Sequence, residues 1–224
     1  MTALLVGATY NKPEHEARWQ AERTPFFAHV LDETERRMAA PCEGLHVLDF
    51  GCAFGHVLDA VRERGGTAVG IEREAALRDL VAARGHDVVA TLGEAPGPFD
   101  VALLLDSLYY LHDPVSALAA VREKLRPGGT VVVRVTNRNA LVRWVRPDLQ
   151  GDARLGFSTT ALRRALQQAG FDAVDVRPDV GVGKRLPPHR ARFYRLGGAA
   201  SRLVGYRRVF TPGLFAWARV PDPG

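Results

Sequence analysis

The segment Asp49-Phe50-Gly51-Cys52-Ala53-Phe54-Gly55 places an acid and three small residues close together. Small side chains at 51, 53 and 55 let a backbone turn sharply and approach a ligand closely. A helix that begins just after them aims its N-terminus at the same ligand. Glu72 follows about 20 residues after the first glycine, a spacing that sets a carboxylate beside the hydroxyls of a ribose. These features point to nucleotide-type binding; the plainer alternative is a tight strand-to-helix turn with no ligand. A dinucleotide fingerprint would read G-x-G-x-x-G, whereas the order here is D-x-G-x-A-x-G. No Gly-Lys-Ser/Thr is present to cradle phosphates. An acid at 49 suits an ammonium or a sulfonium and would repel a diphosphate.

Such a turn needs a sheet to hold it, and the chain supplies one. Strands are predicted over 45–49, 67–72, 87–91, 99–105, 130–135, 173–177 and 213–219. Helices are predicted over 13–40, after Gly55, and over 74–84 and 114–125, with another capped by Ser158. Thr24-Pro25 reads as a cap that restarts the first helix. Arg126-Pro127-Gly128-Gly129 reads as the loop that closes the helix before the fifth strand. The runs Phe99–Leu105 and Thr130–Val135 lack alternation, as expected of strands buried on both faces. Strands alternating with helices imply an α/β fold with a doubly wound, Rossmann-like parallel sheet and right-handed crossovers.

Four stretches in order carry a family resemblance. They are Val47–Gly55; Val69-Gly70-Ile71-Glu72; Phe99-Asp100-Val101 with Leu108-Tyr109-Tyr110-Leu111-His112-Asp113-Pro114; and Leu125–Val133. From Val47 to Phe171 the chain resembles the class I S-adenosylmethionine-dependent methyltransferases, and within them the ubiquinone-pathway and small-molecule subgroup. Ala53 stands where the family's middle glycine is usual. The resemblance implies seven strands, the last antiparallel beside the fifth, with S-adenosylmethionine as cofactor and S-adenosylhomocysteine as product. By the same resemblance Asp49, Gly51, Cys52, Ala53 and Gly55 line the cofactor's methionine and ribose, and Glu72 holds the ribose hydroxyls. Leu92 would flank the adenine. Leu105 and Asp106 would border the methionine portion, although Asp106 also suits a turn cap.

Methyl transfer from a sulfonium asks the protein to align the acceptor and exclude water; a base helps when the acceptor is a hydroxyl. Close relatives often carry a histidine where this chain has Tyr110. Tyr110 and His112 are therefore the catalytic candidates, with Tyr110 a poor base at an ordinary phenol pKa. His15 and His56 are further histidines, His56 reading simply as part of a first helical turn. Tyr10 and Trp19 are candidates for closing over the cofactor. Thr136, Asn137 and Trp144 are candidates for the acceptor wall, at the carboxyl edge of the sheet where ligands bind. No metal site is expected.

The chain's length of 224 residues suits one domain with a small appendage. The expected organisation is an N-terminal helical lid over 1–44, a cofactor-binding core over 45–178, a basic helical insertion over 179–209, and the last strand and tail over 210–224. The net charge of +5 is unevenly placed: residues 178–224 hold nine basic and two acidic residues, and the remainder is slightly acidic. Within the insertion Phe193, Leu196, Ala200, Leu203 and Val204 follow helical spacing, which predicts an apolar stripe packed on the domain with solvated arginines beside it. The same basic pattern over 184–208 would suit an acidic carrier protein or an anionic membrane surface. No RNA-binding module is visible, so nucleic acid is not the expected partner. Only Cys42 and Cys52 are present, which excludes a disulfide scaffold and a four-cysteine zinc site. No membrane-length apolar run and no signal-peptide pattern occur, so a cytoplasmic protein is expected. The favoured activity is methyl transfer to a small-molecule oxygen or nitrogen, on a secondary metabolite, sugar, quinone or lipid precursor. An RNA methyltransferase and a degenerate, non-catalytic binding partner are the alternatives.

Overall fold

The structure, a computed structural model, describes residues 16–140, 155–180, 188–206 and 209–222. Seven strands form one sheet: β1 (His46–Phe50), β2 (Thr67–Ile71), β3 (Asp87–Val89), β4 (Phe99–Leu105), β5 (Leu125–Thr136), β6 (Asp172–Asp179) and β7 (Gly213–Arg219). The helices are α1 (Glu16–Met38), α2 (His56–Glu63), α3 (Ala75–Ala83), α4 (Pro114–Glu123), α5 (Thr159–Gln168) and α6 (Pro188–Leu203). Strand order across the sheet is β3-β2-β1-β4-β5-β7-β6. β1 to β5 pair in parallel, and β7 runs antiparallel to both β5 and β6. The order reverses between β1 and β4, which opens a crevice at their carboxyl ends.

Side-chain alternation along β5 sorts the core into two layers. Val131, Val133 and Val135 face α4 and α5 with Leu118, Val121, Leu162 and Leu166. Val132 faces the other way and joins Phe26, Phe27, Val30 and Leu31 of α1, together with Val57, Val61, Phe215 and Trp217. α1 is thus a layer of the core and is clamped on both flanks. Arg64 donates to Asp32 at 2.6 Å and to Glu35 at 2.9 Å. Arg37 donates to Asp175 at 2.8 Å and lies over the Trp217 ring at 4.0 Å.

Two expectations change. α1 runs unbroken through Thr24-Pro25, with the Thr24 hydroxyl donating to the Gln20 carbonyl at 2.7 Å. Pro25 removes one helical N–H, but the helix is held by the core that Phe26 and Phe27 enter directly after it. Arg126-Pro127-Gly128-Gly129 lies within β5 as a bulge: Phe99 pairs with Leu125, and Val101 already pairs with Thr130. A Cβ on Gly129 would meet the Arg126 carbonyl at 2.8 Å, so the fold of the bulge needs that glycine.

Gly70 on β2 tests how closely the turn packs. A Cβ there would lie 2.6 Å from Cys52 Sγ and 3.0 Å from Leu58 Cδ1. Gly70→Ala is expected to cost about 1–3 kcal/mol by overpacking, and Cys52→Ala in the same chain to recover part of it. Urea unfolding of the single and double variants measures both.

Candidate active site

β1 ends in a turn whose backbone alternates into the left-handed region, with φ of +86° at Gly51, +50° at Ala53 and +73° at Gly55. The turn is fastened to β2, since the Gly51 and Cys52 amides donate to the Ile71 carbonyl at 2.8 and 3.0 Å. Gly55 brings α2 against α3: a Cβ at 55 would touch Val81 Cγ1 at 3.1 Å. Across the crevice, Ser107 stands against Gly51, where a Cβ would lie 3.0 Å from Ser107 Cβ. The end of β4 and the first glycine therefore meet at the point where strand order reverses.

Cys52 turns its side chain inward beneath Gly70 and is 6% exposed, so only its backbone borders the crevice. The expectation that Cys52 lines the cofactor site therefore falls on its backbone. Burial, with Asp49 and Glu72 nearby, pushes its thiol far up, so it stays protonated and unreactive.

Asp49 is 3% exposed, and no described residue donates to its carboxylate. Burial first, and then the neighbouring Glu72 carboxylate, push its pKa to about 7. Glu72 accepts from the Ala53 amide at 3.0 Å and from the Glu74 amide at 2.9 Å. It thus braces the middle of the turn while both its oxygens keep capacity for further donors. Ser107 Oγ is buried and lacks a partner among the described residues. An unneutralised acid, an unpaired hydroxyl and an exposed glycine at 51 leave a polar cradle that fits a cationic amino-acid portion, with Glu72 placed for a ribose.

At the end of β4, Asp106 adopts φ +64° and joins a buried ion cluster. Arg134 on β5 donates to Asp106 through Nη1, and to Asp179 through Nε at 3.1 Å and Nη2 at 2.9 Å. Arg23 of α1 lies 3.7 Å from the other Asp106 oxygen. Asp106 is therefore an anchored, paired carboxylate. Arg134 and Asp179 were not foreseen; the signal was a single arginine inside the valine run of β5, on the α1 face with Val132.

Tyr109 and Tyr110 follow in a short 3-10 turn, ring centroids 4.6 Å apart. Tyr109 is buried, and burial foremost, with Asp106 and its hydrogen bond to Tyr110 adding to it, raises its pKa far above that of a free phenol. Tyr110 is half-buried on the same wall. His112 is exposed in the turn before α4, with no hydrogen bond to the site residues among those described.

Leu92 opens a 3-10 turn after β3 and packs on the core; Leu105, the last residue of β4, is half-buried. Thr136 ends β5 and is half-buried at the crevice edge. Asn137 is 3% exposed, and its Nδ2 donates to the Val209 and Thr211 carbonyls at 2.5 and 2.7 Å. Its Oδ1 accepts from the Asn139 amide at 3.0 Å. Asn137 clamps the entry to β7, and its amide is occupied there, which corrects its place as an acceptor-wall candidate. Tyr10, His15 and Trp144 lie outside the described residues, as does the Trp19 side chain. His56 is buried with no hydrogen bond to either ring nitrogen among the described residues, although Asp59 lies 3.9 Å from Nδ1, and burial, then Arg84, lower its pKa. Among the described residues no cluster of His, Cys, Asp and Glu could hold a metal, and no helix is long and apolar enough to cross a membrane.

A doubly wound sheet with an acid-bearing glycine turn at its switch point and β7 antiparallel beside β5 defines the class I methyltransferase architecture. Residues 18–176 match the family described as a methyltransferase domain, and the chain belongs to that family as an S-adenosylmethionine-dependent methyltransferase. It is 30% identical over 172 residues to the ubiquinone biosynthesis O-methyltransferase of Cereibacter sphaeroides, covering 65% of this chain and 68% of that one. It is 33% identical over 115 residues to the protein of the same name from Paracidovorax citrulli, covering 45% of this chain and about half, 48%, of that relative. Among solved structures, a SAM-dependent methyltransferase from Archaeoglobus fulgidus aligns with TM-score 0.66 at 15% identity, over 92% of this chain and 99% of that one. The [4+2]-cyclase SpnF shares the fold at TM-score 0.61 and 20% identity, over 88% and 81%, so the fold alone does not set the reaction.

Two predictions follow from the buried charges. Asp49 has its folded pKa raised above the unfolded value, so its contribution to stability is full below about pH 4 and is lost as pH rises through about 7. Cofactor-free Asp49→Asn escapes that loss, and its Tm should gain on the wild type between those limits in a pH series. Its affinity for S-adenosylmethionine should fall, and lose the rise through neutral pH that an ionising acid gives toward a sulfonium. Arg134→Met should lose about 3–5 kcal/mol by stranding Asp179, with Asp179→Asn in the same chain restoring part; denaturant unfolding reads both.

Proposed function

We propose that the enzyme methylates an oxygen of a small, aromatic, hydroxyl-bearing acceptor. The observation that carries this reading is the match to relatives named as O-methyltransferases of ubiquinone biosynthesis. The tyrosine pair at the end of β4 supports it, because two rings packed edge toward face form an aromatic wall suited to a flat acceptor.

S-adenosylmethionine supplies an activated methyl on a sulfonium. Asp49, ionised, neutralises positive charge under the turn, and Glu72 and the Ala53 backbone hold the ribose side. Asp106, fixed by Arg134, sets the edge of β4 against that cradle, which orients the acceptor relative to the methyl. Tyr110, backed by the Tyr109 hydroxyl, accepts a hydrogen bond from the acceptor hydroxyl and so turns an oxygen lone pair toward the methyl carbon. With S-adenosylmethionine held by Asp49, Glu72 and the Ala53 backbone, the methyl would be supplied to the acceptor oxygen so oriented, whose proton would be released to solvent.

Methyl-labelled S-adenosylmethionine, offered with a panel of phenols, catechols and primary amines, tests the reading. Label is expected on phenolic oxygen; label confined to amine nitrogen overturns it. With the acceptor so found, Tyr110→Phe should lower kcat/KM about 3–10-fold through one lost hydrogen bond, and His112→Ala should leave it unchanged.

A further inference from the structure

α6 does not sit on the domain as its apolar spacing predicts. Its inward side is made of Gly197, Gly198 and Ser201. A Cβ on Gly197 would lie 3.3 Å from the Phe210 carbonyl carbon, and one on Gly198 2.8 Å from Val180 Cγ1. The Ser201 hydroxyl donates to the Gly197 carbonyl at 2.7 Å and accepts from the Phe210 amide at 3.0 Å. The helix thus docks closely through its smallest residues. Its outer side carries the leucines: Leu196 is 59% exposed and Leu203 89%, with Val204 after the helix at 41%.

Arg192, Arg195, Ala199 and Arg202 are exposed as well. Together with Leu196 and Leu203 they fall at helical spacing on one face. No rotation of α6 could bury the leucines without burying the arginines, because the two kinds of residue share that face. The helix has no acidic residue. None of the three arginines is in an ion pair among the described residues.

We propose that this face is a docking surface for a bilayer containing anionic lipid. The arginines are placed to fork lipid phosphates. The leucines beside them enter the boundary between headgroups and acyl chains, as on a helix that lies in the interface plane. The leucines separate this reading from RNA, whose backbone would meet the arginines and leave the apolar side chains in water. The cationic face and the absence of acids on α6 give the charge complementarity, and the unburied Leu196 within the arginine row and Leu203 at its end give the apolar term.

The test is flotation of the full chain with vesicles of phosphatidylcholine, with and without phosphatidylglycerol. Three forms are compared: wild type, the triple variant Arg192→Glu/Arg195→Glu/Arg202→Glu, and the double variant Leu196→Ser/Leu203→Ser. S-adenosylmethionine affinity measured on the same samples confirms that each is folded. Wild type is expected to float only with the anionic vesicles and to be released at about 0.5 M salt. The triple variant should not float, and the double variant should partition at least tenfold more weakly. Three outcomes overturn the proposal: no flotation of wild type with anionic vesicles, equal flotation of the leucine variant, or tight binding of a single-stranded RNA probe with no binding to vesicles.

Discussion

A guanidinium buried in a sheet must be neutralised where it lies, and Arg134 meets that demand with carboxylates from two other strand ends. Asp106 closes β4 and Asp179 closes β6, so one side chain on β5 draws three carboxyl edges together. Gly213 depends on the same cluster, because a Cβ there would lie 2.9 Å from both Arg134 Nη2 and Asp179 Oδ2. The start of β7 is therefore shaped around a charge. Since Ser107 and the tyrosine pair directly follow Asp106, the segment after β4 takes its position from this ion pair.

The cofactor side of the crevice works on the opposite principle. Asp49 is buried without a donor among the described residues, and its neighbour Glu72 is of like charge. The free protein holds that acid at a disadvantage, which a cation bound beside it would relieve. On one side of the crevice charge is fully paired and gives rigidity; on the other it is left short and gives affinity. α1 spans the two sides: Arg64 and Arg37 hold its flanks, and Arg23 reaches Asp106.

The parts of this architecture that follow local rules were legible in the residues. β4 and β7 were bounded at Phe99–Leu105 and Gly213–Arg219 because apolar runs between turn residues leave few alternatives. The glycine turn and Glu72 were readable because their chemistry lies in spacing along the chain. Asn137 was misread for the opposite reason, since the carbonyls that occupy it lie beyond residue 208. Arg134 looked like an interruption of a valine strand until Asp179 came beside it. The leucines of α6 show a further limit. Periodicity reveals that apolar residues share a face, but which face meets the domain was decided by Gly197 and Gly198, where the helix comes closest.

Because α6 is seated by glycines and a serine, its outward residues contribute little to holding the domain together. Selection can therefore rewrite that face almost independently of the catalytic core. If that face is the docking surface proposed above, exchanging a few of its arginines and leucines would change where the enzyme works while leaving its chemistry intact. Such a helix would serve as an address label, readable at the surface and replaceable without disturbing the sheet beneath it.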